Sequence, residues 1–378
     1  MNDRLRKLGA YPMVALEHYS LELQARGVRV FDFGAGDPIE PVAPPIRAAL
    51  VDAVPTTSPY PRLAGRPDLR AAIAGYFRDR FGVGLDANTE ILPTMGSTEA
   101  LFHLPQVLVQ VPSEKDLVLY GEPGDPVCET GALFAEAWTY AIPLSPENRY
   151  CADPETVPEA VLRRAAMVFL SSPHDPTGQV LPDSVFAAWV SAREEYGFTL
   201  VCDESQSDLY YGTNKPKSLL QFGRKGCLAV HTLSQRSAMA GYRSGFVAGC
   251  ADTIAHYRQF RAAMGVTPQD FVQAASVVAW RDGAHVAARR ELLGKKRAVM
   301  LQHFKGLGLA VHETDAGMYL WVQVPLGTNG IDHAAHLREH GILVVPGVWF
   351  GARQERYVRV ALVPSLADCE AAVKAWPR

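Results

Sequence analysis

Five short apolar runs in the middle of the chain constrain its fold more than any other feature of the sequence. They are rich in β-branched residues, are bounded by turn formers, and span 116–120, 166–172, 198–205, 227–234 and 242–249. Such runs predict strands that are buried on both faces. Helical patterns at 97–110 and 126–137 alternate with them. This alternation is typical of a mainly parallel sheet, so we expect an α/β fold.

The C-terminal third predicts a second, smaller lobe. A helical pattern that runs from Thr267 to Phe304 leads into strand-like segments at 317–324, 341–347 and 357–363, which favours one long helix followed by an α+β unit. The predicted organisation has three parts: 1–45 as an N-terminal arm and part of the small domain, 46–270 as the large α/β domain that carries the pocket, and 271–378 as a linking helix and the C-terminal small domain.

Composition excludes several classes of function. A chain of 378 residues is long enough for two packing units, and a net charge of −3 offers no basic surface for nucleic acid or anionic membranes. No apolar run reaches about 18 residues. The six cysteines lack CxxC spacing, which argues against a zinc site or a disulfide framework. We expect a cytoplasmic protein that binds a small molecule and neither nucleic acid nor membranes.

Ligands of open α/β sheets bind beyond the carboxyl ends of the strands. The loops SSPHDPTG (171–178) and DESQSD (203–208) follow two predicted strands and are rich in polar side chains. They are therefore the first places where we expect functional residues.

Seven segments, in their order and spacing, resemble the class I/II aminotransferases, which are pyridoxal-phosphate enzymes of fold type I. The segments are SPYPRLAGRPDLRAAIA (58–74), GSTEALF (96–102), EPGDPVCETGALFAEA (122–137), SSPHDPTG (171–178), CDESQSDLYY (202–211), HTLSQRSAMAGYRSGFVAG (231–249) and YVRVALV (357–363). Within the family the chain looks most similar to the succinyldiaminopimelate aminotransferases. The resemblance implies the fold of the type I pyridoxal-phosphate-dependent transferases and a homodimer with its site at the subunit interface.

Part of the family's phosphate site is present by this resemblance. Ser97 and Thr98 open a predicted helix, where free amides and the helix dipole favour an anion. The family's phosphate-binding arginine is matched by Arg243, whose guanidinium suits that group. Further matches are the hydroxyls of Thr232 and Ser234 and the ring of Tyr60, which the resemblance sends to the neighbouring subunit's phosphate.

Three more residues match the pyridine and substrate parts of the family's site. Asp203 corresponds to the aspartate that pairs with the pyridine nitrogen. Arg359 corresponds to the arginine that holds a substrate carboxylate, and Gly36, in a Gly-Asp-Pro segment near the N-terminus, is assigned to the same substrate side. Taken singly, Ser97 and Thr98 also have an ordinary reading as helix caps, and Arg243, Arg359 and Asp203 have one as ion-pair residues.

The central departure from the family lies at the lysine that forms the Schiff base. The family motif SxSK reads Thr-Leu-Ser-Gln here, so Gln235 stands at the lysine's position. An amide is neither a nucleophile nor a base near neutral pH, and a positioned general acid–base contributes about 10²–10⁴ in rate. The sequence therefore predicts that conventional transamination is lost. A pyridoxal or pyridoxamine phosphate would be held non-covalently, or no such cofactor would bind.

Three further positions differ around the pyridine ring. The stacking aromatic is replaced by Asp125, the asparagine of the NPTG motif by Asp175, and the tyrosine of the DECY motif by Gln206. Four changes together favour natural divergence over a single engineered replacement. They also place Asp125, Asp175 and Asp203 near one another, an arrangement that raises at least one carboxyl pKa and suits either acid–base chemistry or a cationic ligand.

Three histidines lie on segments near the predicted site: His174, His231 and His103. Each is a candidate for proton transfer, and each also has a structural reading.

Three hypotheses for the function follow. The first is a repurposed lysine-less enzyme that acts on an amino-acid-like or carboxylate-bearing molecule, with Gln235, Asp125, Asp175 and His174 at its centre. The second is a non-catalytic homologue with a binding or regulatory role, and the third is a slow or pyridoxamine-phosphate-using aminotransferase. No metal site is expected.

Overall fold

A computed structural model of the protein describes residues 3–8 and 12–377. The helices are α1 (Asp3–Lys7), α2 (Pro12–Ala25), α3 (Pro44–Asp52), α4 (Pro67–Phe81), α5 (Ser97–Leu108), α6 (Val127–Phe134), α7 (Glu159–Arg164), α8 (Asp183–Tyr196), α9 (Leu233–Ser237), α10 (Ala251–Met264), α11 (Asp270–Arg281), α12 (Ala284–Gly306), α13 (Gly330–Glu339) and α14 (Leu366–Ala375). The strands are β1 (Phe31–Asp32), β2 (Ile91–Thr94), β3 (Leu117–Glu122), β4 (Trp138–Pro143), β5 (Ala165–Ser171), β6 (Thr199–Asp203), β7 (Cys227–Thr232), β8 (Gly245–Gly249), β9 (Val311–His312), β10 (Tyr319–Gln323), β11 (Ile342–Leu343), β12 (Val345–Pro346) and β13 (Tyr357–Ala361).

The large lobe is built on a seven-stranded sheet in the order β2-β8-β7-β6-β5-β3-β4. The strands β7, β6, β5, β3 and β4 run parallel, and β8 runs antiparallel to β2 and β7. The five apolar runs form β3, β5, β6, β7 and β8, which confirms the predicted α/β fold with its mainly parallel sheet.

Both faces of this sheet are covered by apolar side chains. In β6, Leu200 and Cys202 pack into one hydrophobic cluster, while Val201 between them packs into another on the opposite face. Successive side chains of a strand point to opposite faces, so a strand covered on both sides needs apolar residues throughout. This is why the central strands lack a polar alternation.

The small lobe contains an antiparallel sheet in the order β12-β13-β10-β9. Strand β1, near the N-terminus, pairs in parallel with β11, so the segment that follows β1 enters the region between the lobes. The long helix α12 and the C-terminal α14 contribute Met300, Phe304 and Ala372 to the core of this lobe.

The single long helix predicted over 267–304 is wrong, because two helices replace it. Helix α11 ends at Arg281 and α12 begins at Ala284. Asp282 adopts an extended conformation with φ −94° and ψ 115°, and its Oδ1 accepts a hydrogen bond from Ala284 N at 2.8 Å. An aspartate side chain that satisfies a free amide at a helix start favours this break. Helix α11 then packs with the large lobe through Trp280.

Among residues 3–8 and 12–377, no helix combines the length and apolar character that crossing a bilayer requires. Over the same residues, no cluster of three or more His, Cys, Asp or Glu side chains has an arrangement that would hold a metal ion.

Candidate active site

One cleft between the two lobes gathers nine of the residues singled out in the sequence. They are Gly36, Ser97, Thr98, Asp125, Asp175, Ser234, Gln235, Arg243 and Arg359. The large lobe contributes the starts of α5 and α9 and the loops after β3 and β5. The small lobe contributes β13 and the segment after β1. The parallel strands end here, which is where such sheets bind their ligands.

The start of helix α5 forms an anion-favouring corner of the cleft. Gly96 precedes Ser97 with φ 91°, and a Cβ atom at Gly96 would lie 2.8 Å from Nη2 of Arg243. Arg243 donates from Nη1 to Ala240 O at 2.8 Å and from Nη2 to Met95 O at 3.2 Å. The glycine therefore lets a guanidinium lie against the first amides of the helix, where an anion gains from both groups.

The hydroxyl pair beneath this corner consists of one residue in the cleft and one outside it. Thr232 caps α9 by accepting a hydrogen bond from Ser234 N at 3.2 Å, and the two hydroxyl oxygens lie 3.0 Å apart. Ser234 lines the cleft, whereas Thr232 is buried below it. Thr232 thus holds Ser234 in place.

Glu99 fixes the corner from behind, and sequence reasoning did not single it out. Its Oε2 accepts from Met95 N at 2.7 Å, and its Oε1 accepts from Arg261 Nε at 2.8 Å. Burial raises the pKa of Glu99, but His103 and Arg261 outweigh that effect and lower this pKa to about 2. His103 lies beside Glu99 and the Phe260 ring and does not line the cleft, so its reading here is structural.

The substrate side of the cleft is dominated by an ion pair between the lobes. Arg359 Nη1 lies 3.1 Å from Asp175 Oδ1, and Arg359 Nη2 donates to Gly34 O at 3.1 Å. The guanidinium also lies over the rings of Tyr319 and Phe350, at 4.2 and 4.7 Å from their centroids. The arginine is therefore oriented by aromatic rings and already balanced by one carboxylate.

Tyr319 and Gly36 complete this side. An added Cβ at Gly36 would lie 2.9 Å from the Tyr319 hydroxyl oxygen, so glycine permits that close approach. Burial raises the pKa of Asp175, while Arg359 and a hydrogen bond with Tyr319 oppose the rise. Tyr319, Trp349 and Phe350 also line the cleft and were not predicted, because their spacing along the chain does not reveal which lobe surface they face.

A second, more enclosed pocket lies behind the cleft, and Asp125 and Asp175 line both. Asp203 and His174 line the inner pocket together with apolar residues such as Phe169 and Leu181. The predicted meeting of the three aspartates is thus present in the structure. Burial, together with the charges of Asp175 and Asp203, raises the pKa of Asp125 to about 7 even though Val127 N donates to its Oδ1 at 2.9 Å.

Asp203 ends strand β6 at the inner pocket. Burial raises its pKa, and hydrogen bonds from Ser205, one of them from the backbone N at 3.0 Å, oppose that rise. His174 is buried, with Nδ1 2.8 Å from Thr177 Oγ1. Burial lowers the pKa of His174 to about 4, so the imidazole is neutral near pH 7. This makes His174 a weak candidate for the proton-transfer role that the sequence suggested.

His231 lies outside both pockets. Its Nε2 is 3.0 Å from Glu204 Oε2, and its ring stacks on Phe246 at a centroid distance of 4.9 Å. Glu204 also accepts a hydrogen bond from Leu219 N at 2.7 Å. These contacts belong to the core of the large lobe, so His231 is a structural residue.

Gln235 lines the cleft from α9. Arg289 donates from Nε to the backbone oxygen of Gln235 at 3.1 Å. Among the described residues, the buried Oε1 of the Gln235 side chain has no hydrogen-bond partner. A buried amide oxygen without a partner costs free energy, so a donor on a ligand would find a prepared acceptor there.

Two further residues assigned to the cofactor lie away from the cleft lining. Gln206 is buried, and its Oε1 accepts from Met318 N at 2.9 Å, so its amide joins the lobes. Tyr60 is 99% exposed and lies on the surface. A residue that contacts a neighbouring subunit is exposed when one chain is viewed alone, so the position of Tyr60 is compatible with the predicted contact.

Comparison with known proteins places the chain in a family. The sequence profile described as "Aminotransferase class I and II" matches residues 28–375. An LL-diaminopimelate aminotransferase of Aquifex aeolicus is 32% identical over 378 residues, covering 98% of this chain and 97% of the relative. Another, from Syntrophobacter fumaroxidans, is 32% identical over 366 residues, with 95% and 94% of the two chains covered.

Solved structures agree with this placement. A double mutant of the Thermus thermophilus aspartate aminotransferase superposes with a TM-score of 0.90 at 27% identity, covering 99% of this chain and 98% of that one. A probable N-succinyldiaminopimelate aminotransferase of the same organism gives 0.89 at 28% identity, with 97% and 99% covered. The chain belongs to the class I and II aminotransferase family.

Proposed function

We propose that this protein is a lysine-less member of its family, with a repurposed site that acts on an amino-acid-like or carboxylate-bearing small molecule and holds no cofactor covalently. The observation that carries the proposal is that Gln235, whose side chain is an amide rather than an amine, lines the cleft. An amide cannot capture a carbonyl compound covalently or shuttle protons near neutral pH. Conventional transamination is therefore not the activity we propose.

The residues of the cleft fit one end of the family's cofactor and not the other. The family depends on pyridoxal phosphate, and the start of α5, Ser234 and Arg243 form a corner suited to a phosphate. No amine stands at Gln235 for covalent attachment. Asp125 and Asp175 put carboxylates close to where the resemblance places the ring. We therefore derive no chemical step through pyridoxal phosphate.

The chain's own groups suggest how the site works. Arg359 orients a carboxylate-bearing ligand while Asp175 balances its charge. Asp125, with its pKa raised to about 7, gains or loses a proton near neutral pH and is our candidate general acid or base. Asp175 and Asp203 favour a cationic amine in the same region.

A homodimer completes this proposal. The exposed ring of Tyr60 lies on the segment that precedes α4, and the resemblance directs it to the phosphate corner of a second subunit. A cytoplasmic location stays a prediction from the sequence.

A second candidate function is an aminotransferase that holds pyridoxamine phosphate non-covalently. Two observations favour it: the aminotransferase names of the relatives, and Asp203 at the end of β6, where the resemblance expects the partner of the pyridine nitrogen. Pyridoxamine phosphate already carries its amine and needs no lysine for attachment.

The test compares the wild type with Gln235→Lys and, as a control, Gln235→Ala. Each protein is incubated with pyridoxal phosphate or pyridoxamine phosphate, treated with borohydride, desalted and weighed by mass spectrometry, and amine transfer from amino acids to 2-oxo acids is measured. We expect a covalent mass increase with pyridoxal phosphate only in Gln235→Lys, and no amine transfer by the wild type. Wild-type transfer that requires added pyridoxamine phosphate would select the second candidate. Transfer by the wild type as fast as by Gln235→Lys would refute the lysine-less repurposing.

A further inference from the structure

A wide groove on another face of the large lobe concentrates positive charge. It runs between the C-terminal half of α4, the loop that contains Asp208 and Lys215, and the junction of α11 and α12, and it spans about 1190 Å³, part of which is open to solvent. We call it the basic groove. Six basic side chains line it, Arg78, Arg80, Lys215, Arg236, Arg281 and Arg290, against two acidic ones, Asp79 and Asp208. Four positive charges are thus in excess, on a chain whose net charge is −3.

The floor of the basic groove is a rigid, buried charge cluster. Asp208 accepts from Arg80 Nε at 2.9 Å and from Arg236 Nε at 2.6 Å, and Tyr76 donates to it at 3.1 Å. The guanidinium of Arg236 lies over the rings of Tyr76 and Trp280, at 5.1 and 4.8 Å from their centroids. One carboxylate balances two guanidinium groups here, so the floor itself keeps a net positive charge.

The rim adds cations that lack acidic partners. Over residues 3–8 and 12–377, Lys215, Arg281 and Arg290 form no ion pair within the chain; Arg290 lies over the Tyr210 ring at 4.3 Å. Asp79 is already paired with Arg78 at 3.0 Å. Asp282, at the end of the groove, is committed to Ala284 N and to His285. Neither Asp79 nor Asp282 is therefore paired with any of the three rim cations.

We propose that the basic groove is a second anion site, which binds a small polyanion carrying at least two phosphate groups. Guanidinium groups at the rim can each donate two hydrogen bonds to phosphate oxygens, and the net positive charge of the Arg80–Asp208–Arg236 cluster beneath them also attracts an anion. The rim cations come from separate elements, α11, α12 and the loop near Asp208, so they surround the groove and can contact more than one phosphate. The space is also far larger than one phosphate needs.

This site is distinct from the cleft. Gln235 lines the cleft and its neighbour Arg236 lines the basic groove, so the two sites lie on different sides of α9. The segment with Tyr60 lies near the start of α4, whereas Arg78 and Arg80 lie close to its end, about 17–20 Å along the helix. The segment with Tyr60 and the basic groove thus lie near opposite ends of α4.

The test is isothermal titration calorimetry of the full chain with inorganic pyrophosphate, at an ionic strength held constant with sodium chloride. The groove variant is Arg281→Ala with Arg290→Ala. The matched control is Lys305→Ala with Lys374→Ala, which removes two exposed charges elsewhere. A third protein, Arg243→Ala, removes the guanidinium of the phosphate corner in the cleft. Melting curves confirm that each variant is folded.

We expect the groove variant to weaken pyrophosphate binding by about tenfold or more, since hydrogen bonds to charged groups contribute strongly to affinity. The control and Arg243→Ala should change the dissociation constant of this site by less than about twofold. Binding that is lost in Arg243→Ala and kept in the groove variant would assign pyrophosphate to the cleft and overturn the proposal. So would the absence of saturable binding to the wild type, or equal weakening by the control. None of these results bears on the lysine-less function of the cleft.

Discussion

Asp175 and Arg359 connect the two lobes across the cleft through an ion pair of 3.1 Å between Oδ1 and Nη1. Asp175 lies in the loop after β5 of the large lobe, and Arg359 lies on β13 of the small lobe. A ligand carboxylate that approaches Arg359 must therefore share the guanidinium with Asp175.

Asp175→Asn is expected to increase the affinity for a dicarboxylate such as succinate. The amide removes the competing negative charge and leaves Arg359 stacked on Tyr319 and Phe350. We expect the dissociation constant to fall by about tenfold, the scale of one charge-assisted hydrogen bond, as measured by calorimetry. Arg359→Gln is the control and should abolish succinate binding in either background. Unchanged affinity in Asp175→Asn would show that succinate does not use Arg359.

Asp125 predicts a pH dependence of stability. Its pKa is raised to about 7 by burial and by Asp175 and Asp203, while the unfolded value is about 3.9. The folded state therefore binds the proton more tightly, so this residue's contribution to stability is lost as pH rises from about 4 to about 7. The wild type should lose stability relative to Asp125→Asn across that range, and the difference should level off above it.

Urea unfolding of the two proteins at a series of pH values measures this difference. Its slope cannot exceed about 1.4 kcal/mol per pH unit for one group. Glu159→Gln, which alters an exposed ion pair on α7, is the control and should run parallel to the wild type. A difference between wild type and Asp125→Asn that is independent of pH would mean that Asp125 is ionised throughout.

Arg243→Ala is expected to weaken non-covalent binding of pyridoxamine phosphate by about tenfold or more. The arginine contributes a guanidinium beside the first amides of α5, and the backbone carbonyls of Ala240 and Met95 hold it in place. Arg163→Ala, an exposed arginine on α7, is the matched control. Equilibrium dialysis gives both dissociation constants, and equal values would exclude Arg243 from the phosphate corner.

Tyr60 tests the predicted homodimer. Light scattering should show a dimer for the wild type and for Tyr60→Ala, because a single exposed ring is a small part of an interface. Tyr60→Ala should nevertheless weaken pyridoxamine phosphate binding. Leu326→Ala, at a side chain that is 94% exposed, should not. Subunit exchange between Tyr60→Ala and Arg243→Ala should restore tight binding to half of the sites in mixed dimers. A monomeric wild type would contradict the predicted homodimer.

Glu40 and Lys296 predict a large effect on stability. Lys296 is fully buried and bonds to Glu40 and to the carbonyl oxygens of Leu362 and Val363. Glu40→Gln leaves a buried ammonium group without its counter-charge, which typically costs about 3–5 kcal/mol. Urea unfolding should show that loss, and adding Lys296→Met should recover part of it. A loss below about 1 kcal/mol, the range of exposed pairs, would contradict the prediction.

The sequence predicted the strands well because burial on both faces leaves an unbroken apolar signal, as in β5 and β6. The family resemblance also predicted that Asp125, Asp175 and Asp203 meet, and each lies at or shortly after the carboxyl end of a parallel strand of one sheet. It missed the break at Asp282, where one side chain that satisfies a free amide decides between one helix and two.

Side-chain direction was not predictable from the sequence. Gln206 was expected near the cofactor, yet its amide bonds to Met318 N, and His231 was a candidate acid or base, yet it stacks on Phe246 in the core. Tyr319 and Phe350 belong to the other lobe, and only the packing of the two lobes brings them against Arg359. Local patterns carry no information about such contacts between distant segments.

Arg289 gives the cleft a mechanical property. From α12 it donates to the backbone oxygen of Gln235 and, through Nη1, to Glu40 at 2.9 Å, which follows Gly36 and Asp37 by only a few residues. Two segments that line the cleft are thereby tied to one guanidinium. Rotation of the lobes would have to carry both segments along or break these bonds, so we expect the cleft to open at the Asp175–Arg359 pair, the contact that a charged ligand can replace.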